Sequence, residues 1–147
     1  MLFKTHLAFS FLAFLFVWPL LPVESSKWLM AVVWILASVI ADIDSSKSKT
    51  GKFFKPVSWV FGHRRLLHSF SGAVLLTLIV AFFSVDFGFV VFGGYVSHLL
   101  LDMFNHQGIA PFYPFLKTRV KGPFKTGGLA ERVIFFISLA SILVISF

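Results

Sequence analysis

The residues whose types and spacing suggest chemistry lie in one apolar stretch, where His98, Asp102 and His106 follow one another at intervals of four. Four residues advance an α-helix by about 400°, so successive members of this series lie only about 40° apart on one face. His98 and Asp102 can therefore hold one metal ion or form one polarised His–Asp pair. His106 joins them only if the helix continues, and Gly108 and Pro111 indicate that it soon ends.

The same residues have a simpler explanation, in which the last turns of a membrane helix reach interfacial water. That explanation suffices for a single histidine. It is weaker for Asp102, because a carboxylate inside a membrane span costs about 2.5–3.5 kcal/mol on insertion scales unless it is paired or hydrated. Asp102 therefore favours a site.

Two further segments carry similar residue types. One is Asp42-Ile43-Asp44, at the end of an apolar stretch, and the other is the run His-Arg-Arg-Leu-Leu-His-Ser from His63 to Ser69. Taken alone, the first is explained as an interfacial loop. The Arg64–Arg65 pair of the second is explained as a topology anchor.

The elements that must position these residues are apolar helices. Of the 147 residues, 58% are hydrophobic and only 13% are charged, whereas charged residues normally supply about 25% of a chain. Five stretches approach the length of about 20 residues that a membrane span needs, at about 7–23, 28–41, 66–85, 87–104 and 133–147. We predict an all-α, polytopic membrane helix bundle that forms a single domain over residues 1–147, with a tight hairpin at 84–88.

The N-terminal apolar run is long for the core of a signal peptide, so we expect it to remain as the first span. Cysteine is absent, which excludes disulfides, thiolate ligands and a cysteine nucleophile.

The basic residues predict the orientation. Of the 13 Lys and Arg, one precedes the first span, six lie between the second and third spans, five lie before or at the start of the fifth, and only Lys27 is on the opposite side. The positive-inside rule then places the N-terminus in the cytoplasm and the protein in the inner (cytoplasmic) membrane. The net charge of +7 forms no compact basic face with interleaved aromatics, so we exclude nucleic acid as a partner.

Most histidines and carboxylates lie on the same side of the predicted membrane bundle as the basic residues. All five histidines fall in the cytoplasmic half, together with Asp42, Asp44, Asp102 and Glu131. We interpret Glu131, next to Arg132, as part of a surface ion pair. The remaining histidines and carboxylates belong to four different predicted helices but lie at the same depth in the membrane. This convergence predicts a functional site.

Four elements resemble the YdjM-like inner-membrane proteins of bacteria and archaea, which are described as membrane-bound metal-dependent hydrolases. They are Thr5-His6, Asp42-x-Asp44, the H-R-x-x-x-H-S run at 63–69, and G-Y-x-S-H-L-L-x-D at 94–102. The resemblance extends to about Pro114. It departs from the family pattern at Arg65-Leu66-Leu67, where Gly, an aromatic residue and Thr are expected.

The order of candidate ligands is also similar, more remotely, to that of zinc-dependent phospholipase C. This similarity implies a metal site with one or two ions, although the last H-x-x-x-E of that type is missing here. The implied ligands are His6, Asp42 or Asp44, His68, His98, Asp102 and His106.

The chemistry of such a set suits a divalent metal, with Zn²⁺ favoured and Mn²⁺ or Fe²⁺ as alternatives. Such a centre would lower the pKa of bound water to about 7 and polarise a phosphoryl oxygen. The candidate catalytic residues are Asp44, His63 and Arg64. Four cations could bind an anionic headgroup at the interface: Arg64, Arg65, Lys121 and Lys125. We therefore predict a membrane-bound metal-dependent hydrolase of an amphiphilic phosphoester or phospholipid, whose partners are the lipid bilayer and that substrate.

Two other classes of function stay open. A metal-free His–Asp lipid phosphatase would use one histidine as its nucleophile, but the spans lack a Lys/Arg-rich phosphate motif. The second open class is a non-enzymatic membrane protein, such as a metal or ion transporter or an assembly factor. Transport favours polar groups at the bilayer midplane, whereas those of this chain gather at one edge.

The charge distribution makes a topology prediction that cysteine labelling can test. In this cysteine-free chain, a single cysteine in place of Ser48 should react with an impermeant maleimide only after the cells are permeabilised. A cysteine appended after Phe147 should react in intact cells. If both positions react in intact cells, the five-span topology is wrong.

Overall fold

The computed structural model describes residues 1–44 and 66–146, and within them it is all-α, as predicted. The five α-helices of these residues are α1 (Phe3–Val17), α2 (Lys27–Ile40), α3 (Phe70–Phe83), α4 (Val85–Met103) and α5 (Leu129–Ser146). Short 3₁₀ helices extend α1 at Trp18–Leu20, follow α2 at Ala41–Asp44, and precede α3 at Leu66–His68.

The helices differ in how far they could reach across a bilayer. The stretch Phe3–Leu20, together with α4 and α5, is long and apolar enough to cross a membrane, while α2 and α3 have 14 residues each. The fifth helix begins at Leu129, four residues earlier than predicted, because the two glycines before it end the preceding loop. Most large side chains of α5 are exposed, including Phe136 and Val144, which is the pattern of a lipid-facing helix.

The predicted hairpin at 84–88 was wrong in its extent. Only Ser84 leaves helical geometry, with φ −159° and ψ 122°, and residues from Val85 onwards already belong to α4. The Ser84 N–H still donates to the Val80 carbonyl, and the Gly88 N–H donates to the Ser84 carbonyl, both at 3.0 Å. One extended residue therefore reverses the chain, since each neighbouring helix uses it to satisfy a terminal backbone group.

Helix α4 is the centre of the bundle and packs against α1, α2 and α3. Its contact with α2 depends on Gly93 and Gly94, which lie directly against Trp34. The indole of Trp34 is only 1% exposed and packs with Phe14 of α1 in the same apolar cluster. Small residues on α4 therefore let an aromatic side chain of α2 fill the interior.

The segment from 104 to 128 closes one end of the bundle. Ile109 and Val120 exchange two backbone hydrogen bonds, of 3.1 and 2.8 Å, and the N–H of Phe70 donates to the carbonyl of Pro111 at 2.7 Å. Ile109 is fully buried against Ala41 and Leu99. This loop is thus anchored at the end of the bundle where α2 and α4 end and α3 begins.

The close packing of α2 and α4 predicts that Gly94→Ala destabilises the protein. A Cβ at Gly94 would collide with the backbone carbonyl oxygen of Trp34, so the helices would have to move apart. Overpacking of this kind costs about 1–3 kcal/mol, which should exceed the gain of about 1 kcal/mol that alanine brings to a helix. Thermal unfolding in detergent, followed by circular dichroism, should give a lower midpoint.

Val85→Ile is the matched control, because it adds one carbon to the same helix at a position that is 61% exposed. A Gly94→Ala protein that unfolds at or above the temperature of this control would contradict the packing assigned to Gly94.

Candidate metal centre

Five histidine and aspartate side chains meet at the end of the bundle closed by the 104–128 loop. His6 lies in the first turns of α1, and His98 and Asp102 lie in the last turns of α4. Asp42 belongs to the 3₁₀ helix after α2, and His68 ends the 3₁₀ helix before α3. Four separate segments therefore each supply ligand atoms, which the i, i+4 spacing on α4 alone could not do.

Asp102 is in the middle of this cluster, and its two oxygens face different partners. Its Oδ1 lies 3.3 Å from Nε2 of His6, while its Oδ2 lies 3.5 Å from Nε2 of His68 and 3.7 Å from Nε2 of His98. The residue as a whole is only 2% exposed. A carboxylate this deeply buried needs positive charge or several donors around it.

Asp42 forms the second acidic side of the cluster. Its Oδ1 lies 3.6 Å from Nε2 of His68 and 3.9 Å from Nε2 of His98. Burial raises the pKa of Asp42, but the adjacent His68 and the charges that His98 and His6 can carry outweigh burial and lower that pKa to about 2. Asp42 is thus an ionised ligand candidate, and with 15% of its side chain exposed it is the member nearest to solvent.

The imidazole rings pack directly on one another. His6 and His98 are stacked, with ring centroids 4.2 Å apart and an interplanar angle of 16°, and His68 meets His98 edge-on at 5.5 Å. Two overlapping sets of three ligand atoms, each within 4.8 Å of one another, result from this packing: His6 with His98 and Asp102, and Asp42 with His68 and His98.

The spacing of these atoms fits a bound cation. Ligand atoms about 2.1 Å from a tetrahedral metal ion lie about 3.4 Å from one another, and the nitrogen–oxygen distances in the cluster run from 3.3 to 3.9 Å. They are longer than the 2.7–3.2 Å of a direct N–H···O bond. Among the described residues, neither ring nitrogen of the buried His98 has a hydrogen-bond partner. A metal ion would satisfy its Nε2.

Neighbouring hydroxyl groups hold the ligand-bearing segments in place. Ser69 donates to the Leu66 carbonyl at 2.6 Å and accepts from the N–H of Gly72, so it closes the turn that carries His68 and caps α3. The hydroxyl of Tyr95 donates to the carbonyl of Leu67 at 2.6 Å. These hydrogen bonds fix the turn that carries His68 against α4, so they determine where its imidazole lies.

The chain matches the model of the YdjM inner membrane protein family over residues 1–146. It belongs to that family.

Individual relatives of this family member come from several bacteria. The chain is 32% identical over 120 residues to the uncharacterized protein YvsG of Bacillus subtilis. This match covers 72% of the chain and 71% of YvsG. It is 31% identical over 103 residues to the inner membrane proteins YdjM of Escherichia coli and Shigella flexneri. That match covers 62% of the chain and only 52% of each relative, so the chain spans about half the length of these two proteins. No solved structure matches it.

The interpretation of Glu131 as a surface ion pair was wrong. Glu131 is 1% exposed, and its oxygens accept hydrogen bonds from the backbone N–H groups of Leu2 and Gly127. It therefore joins the start of α1 to the loop before α5. Sequence reasoning missed it because the neighbouring Arg132 suggested a partner, whereas the actual partners are backbone groups that only the fold brings close.

The remaining predicted site residues fall into two groups. The first is exposed and lies outside the cluster: His106, whose N–H donates to the Phe124 carbonyl at 2.7 Å, and the loop cations Lys121 and Lys125. Since α4 ends at Met103, the helical face that would have carried His106 does not extend to it. The second group is outside the described side chains and remains a prediction: Asp44, His63, Arg64 and Arg65.

The geometry of the cluster predicts which histidines matter for metal content. His98→Ala removes the one residue shared by both ligand sets, so it should abolish bound metal in the purified protein. Asp102→Asn keeps the size of the side chain but removes its charge, and it should lower the bound metal strongly. Elemental analysis of detergent-purified protein measures both effects.

His106→Ala is the matched control, because it deletes a histidine that is close in sequence but exposed and outside the cluster. It should leave the metal content and the thermal stability unchanged. Equal metal content in all three variants would show that the buried histidines only pack.

Proposed function

We propose that the chain is a membrane-bound, metal-dependent hydrolase that acts on an amphiphilic phosphoester at the cytoplasmic interface. One observation carries the proposal: three buried imidazoles and two carboxylates from four segments face one another at distances typical of ligands on a shared ion. Ionisable side chains gathered in an apolar membrane bundle are typical of a functional site.

The charges of the cluster support a divalent cation. Asp42 and Asp102 bring two negative charges, and the N-terminal ammonium, 3.4 Å from Oδ1 of Asp102, offsets only part of them. The negative charge that remains would favour a divalent ion. Nitrogen and oxygen donors without thiolate suit Zn²⁺ best, with Mn²⁺ and Fe²⁺ as alternatives. When bound, such an ion supplies Lewis acidity, which acidifies water and polarises a phosphoryl oxygen.

The chain's own residues would hold and orient this centre. Oδ1 of Asp102 faces His6, and its Oδ2 faces His68 and His98, so this one carboxylate lies against all three rings. The stacking of His6 on His98 restricts both rings to one orientation. Asp42 is the most exposed of the five candidate ligands.

The position of the cluster supports a membrane amphiphile as the substrate. The ligands lie where α1 begins, α2 ends and α4 ends, which is the end that the distribution of Lys and Arg assigns to the cytoplasm. At this depth the available esters are those of lipid headgroups. Roles for Asp44, His63 and Arg64 in proton transfer, and for Arg64, Arg65, Lys121 and Lys125 in headgroup binding, remain part of the proposal.

Hydrolysis of phospholipids by purified protein tests this function. In detergent, the metal-loaded protein should release phosphate-containing or acyl products from at least one member of a panel of phospholipids and soluble phosphodiesters. A chelator such as phenanthroline should stop the reaction, and added Zn²⁺ should restore it. His98→Ala should be inactive, whereas His106→Ala should keep full activity.

Two results would replace the proposal with another function. An activity that vanadate blocks and chelators do not would indicate a metal-free His–Asp phosphatase. A protein that binds metal at the cluster but turns over no lipid, phosphoester or peptide would be non-enzymatic.

A further inference from the structure

A second feature lies beside the metal centre and carries no role so far. It is an open cavity of about 370 Å³ between the start of α1 and the start of α5. Lys4, Thr5, Glu131, Arg132, Phe135 and Phe136 contribute to its wall. None of the five candidate metal ligands lines it, but Thr5 directly precedes His6, so the cavity and the cluster share one turn of α1.

The polar side of this cavity is cationic towards the outside. Lys4 and Arg132 are both exposed, and Nζ of Lys4 lies 5.1 Å from the ring centre of Phe135, which holds the ammonium group at the rim. Among the described residues, Glu131 is the only carboxylate of the wall, and it is turned inwards, where it accepts from the backbone N–H groups of Leu2 and Gly127. Two cations therefore remain for an external anion.

The other side of the cavity is apolar and continues along α5. Phe136 is 65% exposed, and Leu139 and Leu143, one and two turns further along α5, are 38% and 60% exposed. Such a face is stable only in contact with hydrocarbon, because an exposed apolar helix in water would cost free energy. The cavity thus joins a cationic rim to a lipid-facing groove.

We propose that this cavity binds an anionic phospholipid, with its phosphate between Lys4 and Arg132 and its acyl chains along Phe136 and the outer face of α5. Charge complementarity selects an anionic headgroup, and the apolar continuation selects a lipid instead of a free phosphate ion. That this bound lipid is also the substrate rests on the proposed function, since the cavity adjoins the turn that carries His6.

Lipid binding to the full-length protein tests the proposal. Protein purified in detergent is titrated with phosphatidylglycerol or phosphatidylcholine, and bound lipid is counted by native mass spectrometry. The double variant Lys4→Gln/Arg132→Gln should bind phosphatidylglycerol roughly tenfold more weakly or worse, with little change for phosphatidylcholine. Binding of phosphatidylglycerol with unchanged affinity would overturn the proposal.

Two matched controls separate the cavity from general effects of charge and hydrophobicity. Lys117→Gln/Arg119→Gln removes the same charge from exposed loop positions outside the cavity and should keep phosphatidylglycerol binding. Phe136→Ala should weaken binding of long-chain phosphatidylglycerol, whereas Phe82→Ala, at an 85% exposed position of α3, should not. Equal losses in the cavity and control variants would overturn the proposal.

The same preparations distinguish this proposal from the hydrolase. Phosphatidylglycerol binding that depends on Lys4 and Arg132, in a metal-loaded protein without turnover, would support the cavity and contradict the proposed function. Turnover of phosphatidylglycerol with an unchanged KM in the Lys4→Gln/Arg132→Gln variant would support the hydrolase and overturn the cavity as a lipid site.

Discussion

Two carboxylates buried at one end of an apolar bundle are the constraint to which the surrounding structure responds. Asp102 is almost completely shielded from solvent, and Asp42 is half-buried, with 15% of its side chain exposed. In a low-dielectric interior, each ionised carboxylate costs several kcal/mol unless donors or a cation compensate it. The imidazoles of His6, His68 and His98 face these oxygens, and under the proposed function a divalent ion completes the compensation.

The rest of the fold keeps these groups together. Helix α4 carries two of the five side chains and contacts three other helices, so its position determines the spacing of the cluster. Gly93 and Gly94 bring α2, and with it Asp42, close to α4. The buried hydroxyls of Ser10 and Ser97, 2.9 Å apart, hold α1 against α4 one turn beyond His6. Glu131 then joins the N-terminus of α1 to the loop before α5.

Much of this arrangement follows from sequence patterns, because it depends on local periodicity and on charge. The apolar stretches predicted the five helices, and the i, i+4 spacing of His98 and Asp102 predicted that both side chains lie on one face of α4. The shared depth of His6, Asp42 and His68 followed from topology alone. Boundaries were less accurate, as at Ser84, since one residue can reverse a chain when neighbouring turns satisfy its backbone groups.

What the patterns missed depends on contacts between residues that are distant in sequence. Glu131 bonds to Leu2, 129 residues away, and no local signal marks that pair. The hydrogen bond from the Tyr95 hydroxyl to the Leu67 carbonyl, just before His68, likewise depends on the packing of α3 on α4 and could not be predicted from local spacing. His106 illustrates the opposite case, in which an attractive spacing fails because the helix ends before reaching it.

The short length of α2 and α3 has a consequence for the membrane itself. Each helix has 14 residues and so rises only about 21 Å, against a hydrocarbon layer of about 30 Å. A bilayer that adapts to this mismatch thins beside the two helices, next to Asp42 and His68. Headgroups would then descend to the cluster, without any need for a lipid to leave the leaflet. The protein would also partition into thinner regions of membrane, so that its location depends on bilayer thickness.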